Sequence, residues 1–207
     1  MRVSSERSIA SPGADESLSK GLQDLVWTLG RKVCRQGRGN DSLDRDDELL
    51  RAFLRSFEIL GDRRGLADCR YHLGNIAYIR GDYAAAATSY RHCLTLLQEA
   101  GDMTGIARAC HQLGMVAQKT GDYAGATAWY CRSIEVSTVA KDAVAVARTS
   151  HQLGNVFCLQ GGFDDALTCY GVSLELSELH GDAAGMARSY YQLALLRSEE
   201  HTSELQS

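Results

Sequence analysis

Apolar positions along the chain recur three and four residues apart, and the whole pattern returns every 40 residues. Leu66, Cys69, Leu73, Ile76 and Ala77 form one such stripe, and Ile106, Ala109, Leu113, Val116 and Ala117 form the same stripe one period later. This is helical periodicity. A second stripe follows in each period: Tyr83, Ala86, Ala87, Tyr90, Cys93, Leu94 and Leu97 in the first. Between the stripes, Gly81, Gly121 and Gly161 fit the left-handed position that ends a helix, and Asp82 or Asp122 can cap the helix that follows. Gly61, Gly101 and Gly181, each followed by aspartate, repeat the device at the period boundary. The pattern predicts an all-α chain of antiparallel helix pairs over 61–100, 101–140 and 141–180, with 181–196 as the first helix of a fourth unit. The first two units are identical at 14 of 40 positions.

Small residues at fixed places extend this picture. Gly74, Gly114 and Gly154 lie mid-helix, where glycine costs about 1 kcal/mol relative to alanine. Close helix contact, with Ala86, Ala126 and Ala166 as the matching small sites, is the expected compensation. Tyr90, Tyr130 and Tyr170 are expected to fill the space between neighbouring units. Leu73-Gly74, the Gly81-Asp82-Tyr83 turn, Ala86 and Tyr90 resemble the tetratricopeptide repeat (TPR) signature. The period of 40 and the Leu-Gly-Asn at 73–75 and 153–155 resemble the longer-helix subclass of Leu-Gly-Asn-repeat adaptors and actinobacterial regulator arrays. The resemblance covers 61–196 and implies an α-solenoid wound as a right-handed superhelix. The consensus tryptophan and terminal proline are missing, Gly162 replaces a capping aspartate, and Ala194 replaces a helix glycine.

The flanks read differently. Residues 19–60 form a degenerate capping pair, with Leu22, Leu25, Val26, Leu29 and Val33 on its first helix and Leu49, Leu50, Phe53, Leu54 and Phe57 on its second. The charged connector RQGRGNDSLDRDD joins them. Residues 1–18 are serine-rich and polar, and disorder is expected there. RSEEHTSELQS, 197–207, matches codon for codon the translation of a widely used sequencing-library adapter and is read as non-native, so the chain is expected to be a fragment. A helix over 183–196 without its partner would expose an apolar face and favour self-association.

Composition narrows the function classes. A net charge of -4 and a pI near 5.9 give no general attraction to nucleic acid or anionic lipid. No apolar run approaches the roughly 18–20 residues of a membrane span, and the expectation is a cytoplasmic protein with no membrane partner. The seven cysteines form no C-x-x-C clip and read as small helix residues. With no phosphate loop, H-E-x-x-H or nucleophile elbow, neither an enzyme nor a cofactor or metal site is expected.

The TPR resemblance implies that the first helix of each pair lines an inner wall. Its inward positions map onto Asp68, Tyr71, Asn75 and Tyr78; Arg108, His111, Met115 and Gln118; Arg148, His151, Asn155 and Cys158; and Arg188, Tyr191 and Leu195. The arginines, histidines and asparagines make this wall locally basic, which suits an acidic or carboxylate-bearing peptide. The competing reading pairs those arginines with acids such as Asp102 and Asp142. The expected function is a protein-interaction scaffold binding an acidic partner segment. The alternative is the sensor portion of a larger signalling or transcriptional regulator.

Overall fold

The computed structural model describes residues 12–33 and 40–204. Among them lie nine helices and no strand: α1 (Pro12–Val33), α2 (Asn40–Leu60), α3 (Arg63–Ile79), α4 (Tyr83–Ala100), α5 (Met103–Lys119), α6 (Tyr123–Val139), α7 (Ala143–Gln160), α8 (Phe163–His180) and α9 (Ala183–Glu204). The pairs α3/α4, α5/α6 and α7/α8 each fold back through a glycine turn and stack in chain order, making an all-α solenoid.

The turns follow from their sequence. Gly81, Gly121 and Gly161 adopt φ of +79°, +79° and +77°, and Gly61, Gly101 and Gly181 adopt +68°, +68° and +67°. That conformation lets the next amide reach back to the helix, as Asp82 N does to Ala77 O at 2.9 Å. Asp82 and Asp122 accept from Ala85 N (3.0 Å) and Gly125 N (2.9 Å). Asp62, Asp102, Asp142 and Asp182 repeat the bond at the unit boundaries. Each cap contributes about 1 kcal/mol. Gly162 caps α8 without a side-chain bond, and Asp164 and Asp165 in the first turn supply the favourable charge instead. At 141 the glycine pattern is broken: Lys141 takes the left-handed conformation, φ +56°.

The tyrosines do a second job beside the one expected. A Cβ at Gly74 would stand 2.6 Å from Tyr90 Cε1, at Gly114 2.6 Å from Tyr130 Cδ1, and at Gly154 2.7 Å from Tyr170 Cε1. Each ring therefore lies over the glycine of its own unit, and each also belongs to a cluster that includes residues of the next unit. The glycine makes room for an aromatic ring, whose burial outweighs the helix penalty. Leu113, between its two helices, is 2% exposed.

The N-terminal region corrects several expectations. α1 begins at Pro12, so 12–18 are helical rather than disordered; proline is pre-organised for a first helical turn. Residues 1–11 lie outside the described residues. The expected connector is shorter, because α2 starts at Asn40 and buries Leu43 and Asp46 on its inner face. Its first part, 35–39, and the preceding Cys34 also lie outside the described residues. Leu25 and Leu49 are 55% and 44% exposed, leaving Val26, Leu29, Leu50, Leu54 and Phe57 to carry the stripes. α9 passes the expected end at 196, since no glycine or proline interrupts 197–204.

Candidate functional site

The first helices of the units, α3, α5, α7 and α9, bring the predicted inner-wall positions onto neighbouring faces, but those positions meet different fates along the stack.

At the N-terminal end the wall is closed. Trp27 of α1 donates from Nε1 to Asp68 Oδ2 at 3.0 Å, and its ring meets His72 edge-on at 5.0 Å. The Arg108 guanidinium lies 4.6 Å from the Trp27 ring centroid and 5.1 Å from that of Tyr71, a cation–π arrangement. Ser19 and Gln23 donate to Asp62 Oδ2, so α1 runs along α3 in the same direction. Gly30 allows the close approach, since a Cβ there would stand 1.9 Å from His72 Cε1. Burial lifts the Asp68 carboxyl above the usual range, against the opposing Trp27 N–H and Arg108 charge. Tyr71 accepts from Gln112 Nε2 at 3.0 Å, and Tyr78 packs against Tyr83.

Several predicted residues turn inward to hold the fold. Asn75 is 6% exposed, and its Oδ1 accepts the Tyr90 hydroxyl at 2.7 Å. Asn155 repeats this with Tyr170, also at 2.7 Å. Where Met115 replaces asparagine, the Tyr130 hydroxyl donates to Gln118 Oε1 instead, at 3.0 Å; Met115 itself packs on the Leu153–Val156 cluster. The asparagine of Leu-Gly-Asn is thus the polar anchor of the ring lying on the preceding glycine. Only the matched spacing of Asn75 to Tyr90 and Asn155 to Tyr170 in the sequence could have signalled it.

His111 and His151, 7% and 8% exposed, face Tyr130 and Tyr170 at ring distances of 5.6 and 5.3 Å. His111 Nδ1 is 3.0 Å from Thr149 Oγ1, whereas His151 Nδ1 has no hydrogen-bonding partner among the described residues. Desolvation, and then the Arg148 charge, pushes the His111 imidazole down to about 3; desolvation, and then Arg108, lowers His72 to about 4. Burial raises the thiols of Cys69 and Cys93 to about 12 and that of Cys110 to about 11. No group of three or more histidine, cysteine or acidic residues comes together as a metal site among the described residues. No helix among them is long and apolar enough to cross a membrane.

At the C-terminal end the wall is open. Arg148 is exposed and has no ion pair among the described residues, and Arg188 makes only a 3.9 Å contact with Asp182. That contact realises, at one position, the competing pairing of arginine with a capping acid. Tyr191 is 63% exposed and Leu195 40%. Arg148, His151 and Arg188 line a cavity of about 320 Å³ together with Gln152, Ser173, Ser177, Asp182 and Gly185. Trp27 and the two serines were not among the predicted site residues, because they belong to helices outside the inner-wall register.

Two family models, each described as tetratricopeptide repeat, match residues 66–100 and 105–179. A search of the curated proteins finds no match. Among solved structures, the apo form of RapI is similar with a TM-score of 0.69 at 14% identity, covering 96% of this chain and 69% of that one. A putative kinesin light chain of Podosopora anserina with TPR-like repeats gives 0.57 at 9%, covering 90% and 97%. BtubC from P. vanneervenii gives 0.53 at 14%, covering 91% and 90%. At these identities the likeness shows the fold alone.

Proposed function

Since residues 66–100 and 105–179 are tetratricopeptide repeats, we propose that the chain is an interaction scaffold, with no catalysis of its own, that holds an acidic partner segment on the α7–α9 part of its inner wall. The observation that carries this is the contrast between equivalent arginines. Arg108 is stacked on Trp27 and Tyr71, while Arg148 and Arg188, one and two periods later, are exposed at one cavity. Guanidinium forks pair carboxylates bidentately, so two of them on adjacent units select acidic side chains. The groove is therefore shorter than the full predicted ladder, because Asn75, Gln118 and Asn155 hold tyrosines and Tyr71 is packed under Trp27.

The test is Arg148→Glu. We expect it to weaken acidic-peptide binding at least tenfold in a fluorescence titration, with an unchanged circular dichroism spectrum. Unaltered affinity would remove the groove from consideration. Removal of 197–207, which we read as non-native, should leave binding unchanged. Tyr190 and Tyr191, 54% and 63% exposed on α9, are the surface through which we expect a second copy to associate; sedimentation of a strict monomer at high concentration would count against that. We place the protein in the cytoplasm, a reducing compartment that suits six free cysteines among the described residues.

A further inference from the structure

The side chains at the cavity between α7, α8 and α9 differ from those of the first two seams. In the first two seams Phe57 lies against Gly65 and Leu97 against Gly105, with contacts that a Cβ on either glycine would meet at 2.3 and 2.7 Å. At the equivalent place Ser177 faces Gly185, and Ser173 stands where the first unit has Cys93. Two hydroxyls in place of apolar bulk leave about 320 Å³ open, the lower end of the size range of small-molecule sites.

Donors from three helices line that space, together with one carboxylate, Asp182. Arg148, His151 and Gln152 belong to α7, Ser173 and Ser177 to α8, and Arg188 to α9. His151 is 8% exposed, and its Nδ1 has no partner among the described residues. A buried ring nitrogen without a partner is costly unless something supplies one. The nearby acid, Asp182, is committed: Oδ1 accepts Gly185 N at 3.0 Å, and Oδ2 faces Arg188 at 3.9 Å.

A carboxylate accepts hydrogen bonds in one plane. Donors from three sides fit a tetrahedral oxyanion better, and two guanidiniums match its double charge. We propose that the cavity binds a phosphomonoester group, with Arg148 and Arg188 as its charge partners, the His151 imidazole on its wall, and Ser173 and Ser177 as the floor. This rests on the reading of Arg148 and Arg188 as a ligand-binding pair, and it specifies the anion they take.

The experiment titrates the full chain with a phosphoserine peptide, the same peptide carrying glutamate instead, and O-phosphoserine alone. The phosphoserine peptide should bind about tenfold or more tighter than the glutamate peptide. His151→Ala should bring the ratio of phosphoserine-peptide to glutamate-peptide affinity down toward one. Ser177→Leu, which refills the space as Leu97 does, should abolish phosphate binding; circular dichroism checks its fold, and His151→Ala serves if it does not fold. Equal affinity for the two peptides would overturn the phosphate assignment and leave the acidic-groove reading standing. Binding of neither would overturn both. O-phosphoserine binding as tightly as the peptide would support the cavity and assign it to a small phosphorylated molecule.

Discussion

The seam between the first and second repeats and the seam between the third repeat and α9 are built at the same positions with opposite chemistry. On the second helix of successive units, one position reads Phe53, Cys93, Ser133, Ser173 and another Phe57, Leu97, Ser137, Ser177. The first-helix position opposite them reads Cys69, Ala109, Thr149, Ser189. In the early seam Cys93 and Leu97, 1% and 3% exposed, join a cluster with Ile106, Ala109 and Cys110. In the late seam Ser189 Oγ donates to Ser173 Oγ at 3.1 Å, and the apolar cluster shrinks to Ala166, Tyr170 and Leu196. The middle seam is intermediate, with Ser133 Oγ bonded to Ala107 O at 2.8 Å and Thr149 shared with His111. A buried leucine contributes about 1.5–3 kcal/mol, while a hydroxyl bond contributes about 1 kcal/mol net. A solenoid's stability is a sum over units and neighbouring interfaces, so one backbone plan carries a gradient of stability. The proposed binding site lies at the weaker end.

The sharpest way to break this contrast is to interchange the two chemistries. Leu97→Ser should cost about 3–5 kcal/mol in urea unfolding, from the lost leucine and a newly buried hydroxyl. Ser137→Ala should be neutral or stabilising by up to about 1 kcal/mol, because Ser137 Oγ is buried without a partner among the described residues. Equal costs at the two positions would mean that the seams do not differ.

Acid should act next, and chiefly through the early and middle units. His72 and His111 are held neutral, with folded values of about 4 and about 3 against an ordinary 6.5. Arg108 faces His72, and Arg148 faces His111. The unfolded chain binds these protons first, so their contribution is fully present above about pH 6.5 and is lost as pH falls toward the folded values. Between pH 6.5 and 5 each should cost about 1.6 kcal/mol. His111→Gln should flatten the pH dependence of unfolding; an unchanged slope would show that His111 is not buried neutral.

A smaller effect should appear without any mutation. Native-state amide exchange in α8 and α9 should run about tenfold or more faster than in α3 to α5, matching a local difference of about 1.4 kcal/mol. Uniform protection along the stack would erase the gradient.

The repeat phase and its glycine–aspartate turns were readable from the sequence, because a left-handed glycine and a capping acid are local requirements that each unit states for itself. The depth of each polar side chain was not. Periodicity assigns Asn75, Arg108, His111 and Arg148 to one face, yet a shared face spans a wide arc. One edge of it turns toward the second helix, where Asn75 meets Tyr90; another is covered by Trp27, and a third lies open at Arg148. The covered part depends on α1, whose packing against α3 comes from a pair that departs from the repeat. The serine-for-leucine change at 137 and 177 was present in the sequence, but its meaning required knowing that Phe57 and Leu97 face the next unit's glycine.

The smallest expected effect tests the boundary between the second and third repeats. Lys141 stands where the other boundaries have Gly61, Gly101 and Gly181, and it adopts the same left-handed backbone at φ +56°. A side chain in that conformation costs roughly 1 kcal/mol relative to glycine, offset in part by the greater freedom glycine has when unfolded. Lys141→Gly should therefore stabilise the chain by about 0.5 kcal/mol, raising the urea midpoint without changing the slope. Gly101→Lys, at the boundary beside the apolar seam, should cost about as much as Lys141→Gly gains. If both substitutions destabilise, the lysine is making a contact at the edge of the middle seam that outweighs its backbone strain.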